Sequence, residues 1–402
     1  MSAAPEVGRA VAAVRGVRIR DGVGGTRLVD LLIEDGAFSD VAEAEPREAW
    51  GAGDVDGRGL LALPSLVNAH AHIDKSWLGL PWQSYGGEGG TDGRIRHERA
   101  RRDELGIPSV ERTREVLRAF VAHGTTAMRT HVDVDLGVGL RGIAEVREAI
   151  AEWDGALHAE IVAFPQDGVL RRDGVGALLE RAAAEGVEHI GGLDPAGIDR
   201  DPVGQIDLLT GIAAEHGCGI DIHLHDAADL GAFQLELLID RASTLGLTGA
   251  VNIAHGFAIA QIPAARRSEL LAAMAELGMT FTTVAPLRLP QLPLREFDEA
   301  GVPLAFGTDG IRDLWSPYGT GDTLGIAWQY ARSSSIVRDE DLARVMDVAT
   351  RAAARFVGRG VHDLVPGAVA DVVLVDAEHE LDALVRVPRR EVVIGAGRLL
   401  MG

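Results

Sequence analysis

Six of the thirteen histidines in this sequence of 402 residues, together with one aspartate, lie at or just beyond the ends of short apolar segments. They are His70, His72, His131, His223, His225, His255 and Asp309. In the run His70-Ala71-His72, one residue separates two imidazoles, and on an extended backbone residues i and i+2 point to the same side. Both rings therefore have access to a single cation.

The residue types in this set suit one divalent transition metal. Neutral imidazole nitrogens and a carboxylate oxygen are ligands of Zn²⁺ or Fe²⁺ in hydrolytic sites, where one coordination position is left for water. A lone His-x-His pair often has no metal, so the prediction depends on His223 and Asp309 reaching the same place. We expect one divalent ion, Zn or Fe.

The elements that must position these residues are eight short apolar segments that alternate with helical patterns. The predicted strands are Leu61–Val67, Thr126–His131, Ala159–Phe164, His189–Leu193, Gly219–His223, Val251–Ala254, Thr280–Val284 and Pro303–Phe306. Eight βα units predict an α/β fold, a closed (β/α)8 TIM-like barrel with its active site at the carboxyl ends of the strands. An open doubly wound sheet is the alternative, but no GxGxxG motif follows the first strand.

Both ends of the chain contain short strand patterns with glycine-rich turns, and neither end alone could bury a useful core. We predict that residues 1–60 and 357–402 form one small composite β-sandwich domain and that residues 61–356 form the hydrolase barrel. The strand-like segments at the two ends are Val11–Ile19, Leu28–Ile33, Asp54–Leu61, Val369–Val375, Leu384–Val387 and Val392–Ala396.

An insertion of residues 82–106 separates the first predicted strand from its helix. It contains two Gly-Gly pairs followed by five arginines. In a barrel this segment lies at the mouth, where it forms either a mobile lid over the site or a solvated surface excursion. The sequence leaves these two interpretations open.

The composition excludes several classes of function. A net charge of −21 argues against nucleic acid or an anionic membrane as partner, because either polyanion would be repelled. The single cysteine, Cys218, excludes a disulfide framework. No signal-peptide pattern and no apolar run of about 18 residues is present. We expect a cytoplasmic protein with a small-molecule partner, and a homo-oligomer stays open.

Five motifs in order resemble the amidohydrolase superfamily, in its cytosine deaminase branch. They are LPSLVNAHAHIDK from Leu63 to Lys75, RTHVD from Arg129 to Asp133, IVAFPQ from Ile161 to Gln166, FGTD from Phe306 to Asp309 with Asp313 and Trp315 beyond it, and the return from Gly367 to Leu374. The resemblance extends over essentially the whole chain. It implies a metal-dependent hydrolase that acts on a nitrogen heterocycle.

The resemblance also implies a role for individual residues. One metal would be bound by His70, His72, His223 and Asp309. His255 is similar to the histidine that polarises the attacking water and the substrate, and Asp309 would also take the proton of that water. Gln166 resembles the amide that reads the ring edge, and Trp315 resembles an aromatic wall of the pocket. His131 is either a substrate contact or a core histidine.

Lysine occurs only once, at Lys75. Members of the superfamily with two metals bridge them by a carbamylated lysine of the fourth strand, and this sequence has no lysine there, so the resemblance implies a mononuclear site. Lys75 either contacts the substrate or a pocket carboxylate, or forms a structural ion pair behind the rim. The second interpretation is favoured, because an ammonium beside the metal would oppose its charge.

The sequence departs from the branch pattern after the fifth strand. The branch usually has His-x-x-Glu there, and this chain has His223-Leu224-His225-Asp226. Asp226 keeps a carboxyl group for proton transfer but its side chain is one methylene shorter, so its reach falls by about 1.5 Å. Either Asp226 or His225 is the expected proton carrier, and Asp226→Asn is expected to keep the metal but lose turnover.

The expected reaction is hydrolytic deamination of an amino-substituted nitrogen heterocycle such as cytosine, isocytosine or an aminotriazine. A metal-activated hydroxide would attack the ring carbon of the C–N unit. Hydrolysis of a cyclic amide or of an N-alkylamino heterocycle is the nearest alternative. A barrel that binds a ligand without turnover is the alternative from another class.

Overall fold

The computed structural model describes residues 7–45 and 50–402. Residues 1–6 and 46–49 of the predicted terminal domain lie outside the described residues. No helix in the described part of the chain has the length and apolar character needed to cross a membrane.

The described residues form seventeen strands in two sheets. The strands are β1 Ala13–Arg20, β2 Thr26–Glu34, β3 Ala37–Glu43, β4 Asp54–Asp56, β5 Leu61–Pro64, β6 Leu66–His72, β7 Thr125–Asp133, β8 His158–Phe164, β9 His189–Leu193, β10 Gly219–Leu224, β11 Val251–His255, β12 Thr280–Thr283, β13 Leu304–Phe306, β14 Asp309–Gly310, β15 Val372–Val375, β16 Arg390–Gly395 and β17 Arg398–Met401.

Helices separate most of the strands. They are α1 Gly90–Leu105, α2 Val110–Ala122, α3 Arg141–Ala151, α4 Val175–Ala184, α5 Pro202–His216, α6 Ala228–Leu245, α7 Ala264–Glu276, α8 Leu294–Ala300, α9 Thr323–Ser333, α10 Asp339–Ala349 and α11 Glu380–Arg386. Short 3₁₀ segments follow β11 and α10, at Phe257–Ala260 and Arg351–Val357, and a π-helical turn follows β9, at Pro195–Asp199.

Strands β6 to β13 pair in parallel in chain order and curl into the predicted barrel. β13 pairs with β12, and β14, three residues further on, pairs with β6, so the last strand segment closes the barrel against the first strand. Between them, a Cβ at Gly307 would lie 2.4 Å from the Cβ of His70. Only glycine allows the backbone to pass β6 this closely, and this passage brings Asp309 beside the histidines of β6.

The terminal segments build one mixed sheet of eight strands in the order β17-β16-β15-β5-β1-β2-β3, with β4 paired to β1. Its core is a separate cluster of valine, leucine and isoleucine side chains from both ends of the chain. The predicted β-unit made from both termini is therefore confirmed. Leu61–Pro64 pairs with β15 and β1, so we propose that the terminal unit extends to Pro64 and that the barrel begins at Leu66.

Two predictions of local structure were wrong. Leu384–Val387 is not a strand, because helix α11 includes Leu384 and is capped by His379, whose side chain accepts a hydrogen bond from the backbone N–H of Asp382. The insertion at residues 82–106 is not only a loop, since α1 occupies most of it. Its polar and arginine-rich sequence carries no strong amphipathic period, which explains why the pattern did not predict a helix.

Candidate active site

Three barrel strands bring the predicted metal ligands together at one rim of the barrel. His70 and His72 lie on β6, His223 on β10 and Asp309 on β14. The Nε2 atom of His72 lies 3.3 Å from Nε2 of His223 and 3.3 Å from Oδ1 of Asp309. Nε2 of His70 lies 3.5 Å from the same Asp309 oxygen. His255, at the end of β11, joins them, since ligand atoms of His70, His223, His255 and Asp309 all lie within 4.8 Å of one another.

The donor atoms of this cluster fit a bound cation. Several of its ring nitrogens are buried without a hydrogen-bond partner in the described chain, including both nitrogens of His70, Nδ1 of His223 and Nε2 of His255. Buried polar atoms are normally paired, so lone pairs that converge without donors point to a missing positive centre. The set of imidazoles and one carboxylate is the donor set that Zn²⁺ and Fe²⁺ accept.

The protonation states also favour metal binding. Burial, reinforced by Lys75, lowers the pKa of His72 to about 3, and burial holds the pKa of His223 and of His255 well below the ordinary value. These rings are therefore neutral at pH 7 and keep a lone pair for a cation. Burial opposes ionisation of Asp309, but the adjacent rings of His70 and His72 hold its pKa well below the usual range.

His131 lies beneath this cluster and does not line the cavity. Its ring is fully buried, 4.3 Å from that of His70 between centroids, and its Nε2 lies 3.2 Å from Oδ1 of Asp221. A substrate contact by His131, one of the two roles open in the sequence, is therefore not supported by the position of the ring. We expect His131 to support His70 and His72 from below.

A cavity of about 350 Å³ opens above the cluster. It is lined by His72, Lys75, Thr91, Arg94, Phe164, Gln166, Leu193, Asp194, His223, His225, His255, Asp309, Gly310, Asp313, Trp315 and Ser316. A larger cavity, of about 580 Å³, lies between α8, α9 and α10 and contains no histidine or cysteine among its lining residues. The smaller cavity is the candidate active site because the metal-binding set lies at its base.

Lys75 belongs to the cavity wall rather than to a position behind the rim. Its Nζ donates to Oδ1 of Asp133 at 2.9 Å and to Oε1 of Gln166 at 2.6 Å. Burial lowers the pKa of Lys75, but the Asp133 carboxylate and its acidic neighbours raise it above the ordinary value overall. The ammonium therefore stays charged. Because Oε1 of Gln166 accepts from Lys75, the amide NH₂ of Gln166 is the group left to face a ligand. Lys75 and Gln166 together present hydrogen-bond donors to the cavity.

Helix α1 of the insertion fixes the aromatic wall. Glu98 of α1 is buried and accepts a hydrogen bond from Nε1 of Trp315. Burial raises the pKa of Glu98 well above its ordinary value, and Asp133 adds to this effect while Lys75 opposes it. We therefore expect Glu98 to be a neutral acid that accepts from Trp315 and donates to Asp133. This arrangement makes the insertion part of the site rather than a solvated excursion.

The neutral state of Glu98 predicts different effects for two substitutions. Glu98→Gln keeps one acceptor and one donor in the same places, so its free energy of unfolding should match that of the unchanged protein. Glu98→Ala leaves the indole N–H of Trp315 without its acceptor and should cost about 1–3 kcal/mol. Thermal and denaturant unfolding of both variants measure the difference. Equal destabilisation by both substitutions would show that Glu98 is ionised.

His225 lines the cavity and is oriented by Asp194, a residue to which the sequence pattern gave no role. Its ring stacks on His255, with 4.2 Å between centroids and 29° between planes, and its Nδ1 lies 3.0 Å from Oδ2 of Asp194. Desolvation lowers the pKa of His225, but the hydrogen bond to Asp194 raises it overall above the ordinary value. With Nδ1 held by Asp194, Nε2 is the ring nitrogen available for proton transfer.

Asp226 is not placed to transfer a proton to a bound substrate. Its Oδ2 accepts hydrogen bonds from the backbone N–H of Gly197 and from Nε2 of Gln234, both at 3.0 Å. Asp226 does not line the cavity. The carboxylate holds the π-helical turn after β9 to helix α6, so its position does not support the expected proton transfer by Asp226. This leaves His225 as the candidate of the two.

Sequence reasoning did not assign a role to Asp194, Arg94 or Glu98. Asp194 directly follows β9, so the rule that finds site residues at strand ends applies to it as well. Arg94 and Glu98 carry no such signal, since they lie on an inserted helix whose position over the barrel depends on tertiary contacts. Gln166 and Trp315, in contrast, lie in the cavity wall as predicted from the resemblance.

Comparison with known proteins finds relatives along nearly the whole chain. The family model described as "Amidohydrolase family" matches residues 203–399. The solved structure of N-isopropylammelide isopropylaminohydrolase from Burkholderia multivorans ATCC 17616 superimposes with a TM-score of 0.90 and 39% sequence identity, over 96% of this chain and 97% of that chain.

Two further relatives match along most of their length. The uncharacterized protein YahJ of Escherichia coli (strain K12) is 30% identical over 352 residues, which are 86% of this chain and 76% of YahJ. The structure of 5-methylcytosine deaminase from Klebsiella pneumoniae, liganded with 5-fluorocytosine, superimposes with a TM-score of 0.83 and 25% identity, over 97% of each chain. The similarity to the two solved structures therefore extends over nearly the whole chain.

Proposed function

Because this chain belongs to the amidohydrolase family, we propose that it releases ammonia or a small alkylamine by hydrolysis of an exocyclic C–N bond on an oxo-substituted nitrogen heterocycle. The broader statement, that it is an amidohydrolase of carbon–nitrogen bonds other than peptide bonds, follows from the family. The class of ring and the leaving amine are the parts proposed here.

The observation that carries the proposal is the convergence of four buried imidazoles and one carboxylate at the base of a cavity of ligand size. Several ring nitrogens of this set are buried without a hydrogen-bond partner among the described residues. His70, His72, His223 and Asp309 would hold one divalent ion, Zn or Fe. When bound, this ion supplies a Lewis acid that lowers the pKa of water from about 16 towards 7.

The residues around the cluster provide the proton transfers. Asp309 is ionised and reaches His70 and His72, so it is placed to take the proton of the attacking water. His255 is neutral and directly beside the cluster, where it stabilises the negative charge that develops on the substrate. His225, oriented by Asp194, delivers a proton to the departing nitrogen, which leaves as a neutral amine.

The cavity wall selects the ring. Phe164 and Trp315 provide flat apolar surfaces, and Phe164 stacks on His223 with 4.1 Å between ring centroids. The donors on Lys75 and Gln166 require acceptors on the substrate edge that faces them, such as carbonyl oxygens or unprotonated ring nitrogens. An oxo-heterocycle with one exocyclic amine meets this requirement through its carbonyl oxygens, whereas a ring with only amino substituents offers only its ring nitrogens as acceptors, between amino groups that would face the donors.

A matched pair of substrates tests both the reaction and the leaving group. Ammelide and N-isopropylammelide share one oxo-triazine ring and release ammonia or isopropylamine, and cytosine and 5-methylcytosine provide the pyrimidine comparison. We expect metal-dependent release from at least one of these, with N-isopropylammelide favoured because of the 39% identity to the Burkholderia multivorans enzyme. Amine release is measured with protein of known metal content.

Two other results would change the proposal. Ring opening of a cyclic amide with no amine release would move the scissile bond from outside the ring to inside it. Absence of any turnover by protein that holds one ion per chain would favour a barrel that binds its ligand without chemistry. The two results are separated by mass spectrometry of the products and by a binding measurement on the same substrates.

A further inference from the structure

Arg94 lies at the outer part of the candidate active site. Helix α1 places it in the cavity wall, where its Cζ lies 5.9 Å from the ring centroid of Trp315. Arg94 is partly exposed and the neighbouring Thr91 is exposed, whereas the histidine cluster is buried. Arg94 is thus at the mouth of the cavity, above the reacting centre.

The guanidinium of Arg94 has no counter-ion in the described part of the chain. Its one recorded hydrogen bond runs from Nε to Oη of Tyr85 at 3.4 Å, which leaves both Nη groups as donors. Three other arginines of the same helix are paired with carboxylates at 2.5 to 2.8 Å, Arg99 with Asp167, Arg101 with Glu104 and Arg102 with Asp135. Arg94 and Arg96 have no such carboxylate partner among the described residues, and of these two arginines only Arg94 lines the cavity.

The contacts of α1 hold this cation in place. Arg102 and Asp135 form a buried bidentate pair, and Glu98 accepts a hydrogen bond from Trp315, so the helix is anchored to two other segments of the chain. An arginine on an anchored helix loses little further freedom when it binds a ligand, and its planar fork matches a carboxylate. The guanidinium of Arg94 is therefore positioned to bind an anion before a ligand is present.

The cavity wall contains two cationic side chains, Lys75 and Arg94, in a protein that is acidic as a whole. The chain as a whole carries a net charge of −21 and would repel an anion from most of its surface. At the cavity, Lys75 and Arg94 both lie within 6.0 Å of the Trp315 ring. Lys75 is matched by Asp133, so Arg94 provides the uncompensated positive charge at the entrance.

We propose that Arg94 binds an anionic substituent of the substrate, such as a carboxylate, at the mouth of the cavity. This inference rests on the proposed function, because it concerns the substrate of the same site. The substrate class becomes a heterocycle whose ring reaches the histidine cluster while an acidic group, carried by the ring or by the leaving amine, extends outward to α1.

Binding of matched probes by the metal-loaded full chain tests the proposal. One pair is orotate, which carries a carboxylate on the ring, and its uncharged carboxamide. The other pair is N-carboxymethylammelide, which carries a carboxylate on the exocyclic amine, and its uncharged counterpart N-carbamoylmethylammelide. We expect at least one carboxylate to bind about tenfold more tightly or better than its uncharged partner. Arg94→Gln should remove this preference, and Arg96→Gln should not.

Arg96 is the matched control because it lies on the same helix, is exposed and does not line the cavity. The proposal is overturned if no carboxylate binds more tightly than its partner, or if the preference survives Arg94→Gln. Isothermal titration needs no turnover, so its result is independent of the amine-release assay. Failure of the hydrolase proposal would appear as absent amine release while the carboxylate preference stays measurable.

Discussion

Replacing His72 by alanine should abolish hydrolysis and remove the bound metal. His72 contributes a ring nitrogen 3.3 Å from both His223 and Asp309, at the centre of the cluster. Without the ion, the attacking water keeps a pKa of about 16 instead of about 7, so we expect kcat to fall by about 10⁴-fold or more. Elemental analysis of the purified variant and amine release from the best substrate measure both effects, and the same analysis of the unchanged protein separates Zn from Fe.

A histidine at the opposite end of the barrel provides the control. His158 opens β8, and its Nε2 hydrogen-bonds the carbonyl of Val357, far along the strand from the cavity. The folded fraction of His158→Ala should keep its metal and its activity. Circular dichroism measures the folded fraction, and metal content and amine release are then expressed per folded chain. A His72→Ala variant that turns over substrate without metal would refute the assigned site.

Substitution of His225 by alanine should lower kcat by about 10²- to 10⁴-fold while the metal content stays unchanged. That range is the usual contribution of a positioned acid or base. His225 lines the cavity beside His255 but is not among the residues expected to hold the ion. Loss of the ring therefore removes the proton for the departing amine without removing the nucleophile. Steady-state kinetics together with metal analysis separate these two effects.

Asp226→Asn is the matched comparison for His225→Ala. Asparagine keeps the oxygen that accepts from Gly197 and Gln234, so the turn and the helix it holds should be preserved. We expect nearly unchanged kcat, which reverses the expectation drawn from the branch pattern of a carboxyl group at this position. A large loss of turnover in Asp226→Asn with full activity in His225→Ala would return the proton transfer to the carboxylate.

The family, the barrel and the cluster at its mouth were predictable from local patterns. Strand and helix periodicity depend on burial of one or both faces, so seven of the eight barrel strands were found within a few residues of their bounds. The rule that parallel strands end at one rim then placed His70, His223 and Asp309 together, and the structure confirms that proximity. The split between Leu61–Pro64 and β6 was missed, because both segments are fully buried and a continuous apolar run does not reveal a change of sheet.

Residue types and their order along the strands were enough to predict a hydrolytic metal site, because they decide which metal ligands and proton-transfer groups lie at the same rim of the barrel. The tertiary structure alone decided which of these groups face the cavity. The chain leaves β10 in such a way that His225 contacts Asp194 and His255 while Asp226 turns towards Gly197, although the two residues are adjacent. Likewise Arg94 and Glu98 reach the site only because α1 packs over the barrel. Contacts between segments that are distant in sequence produce no periodic pattern in the local sequence, so they could not be predicted from it.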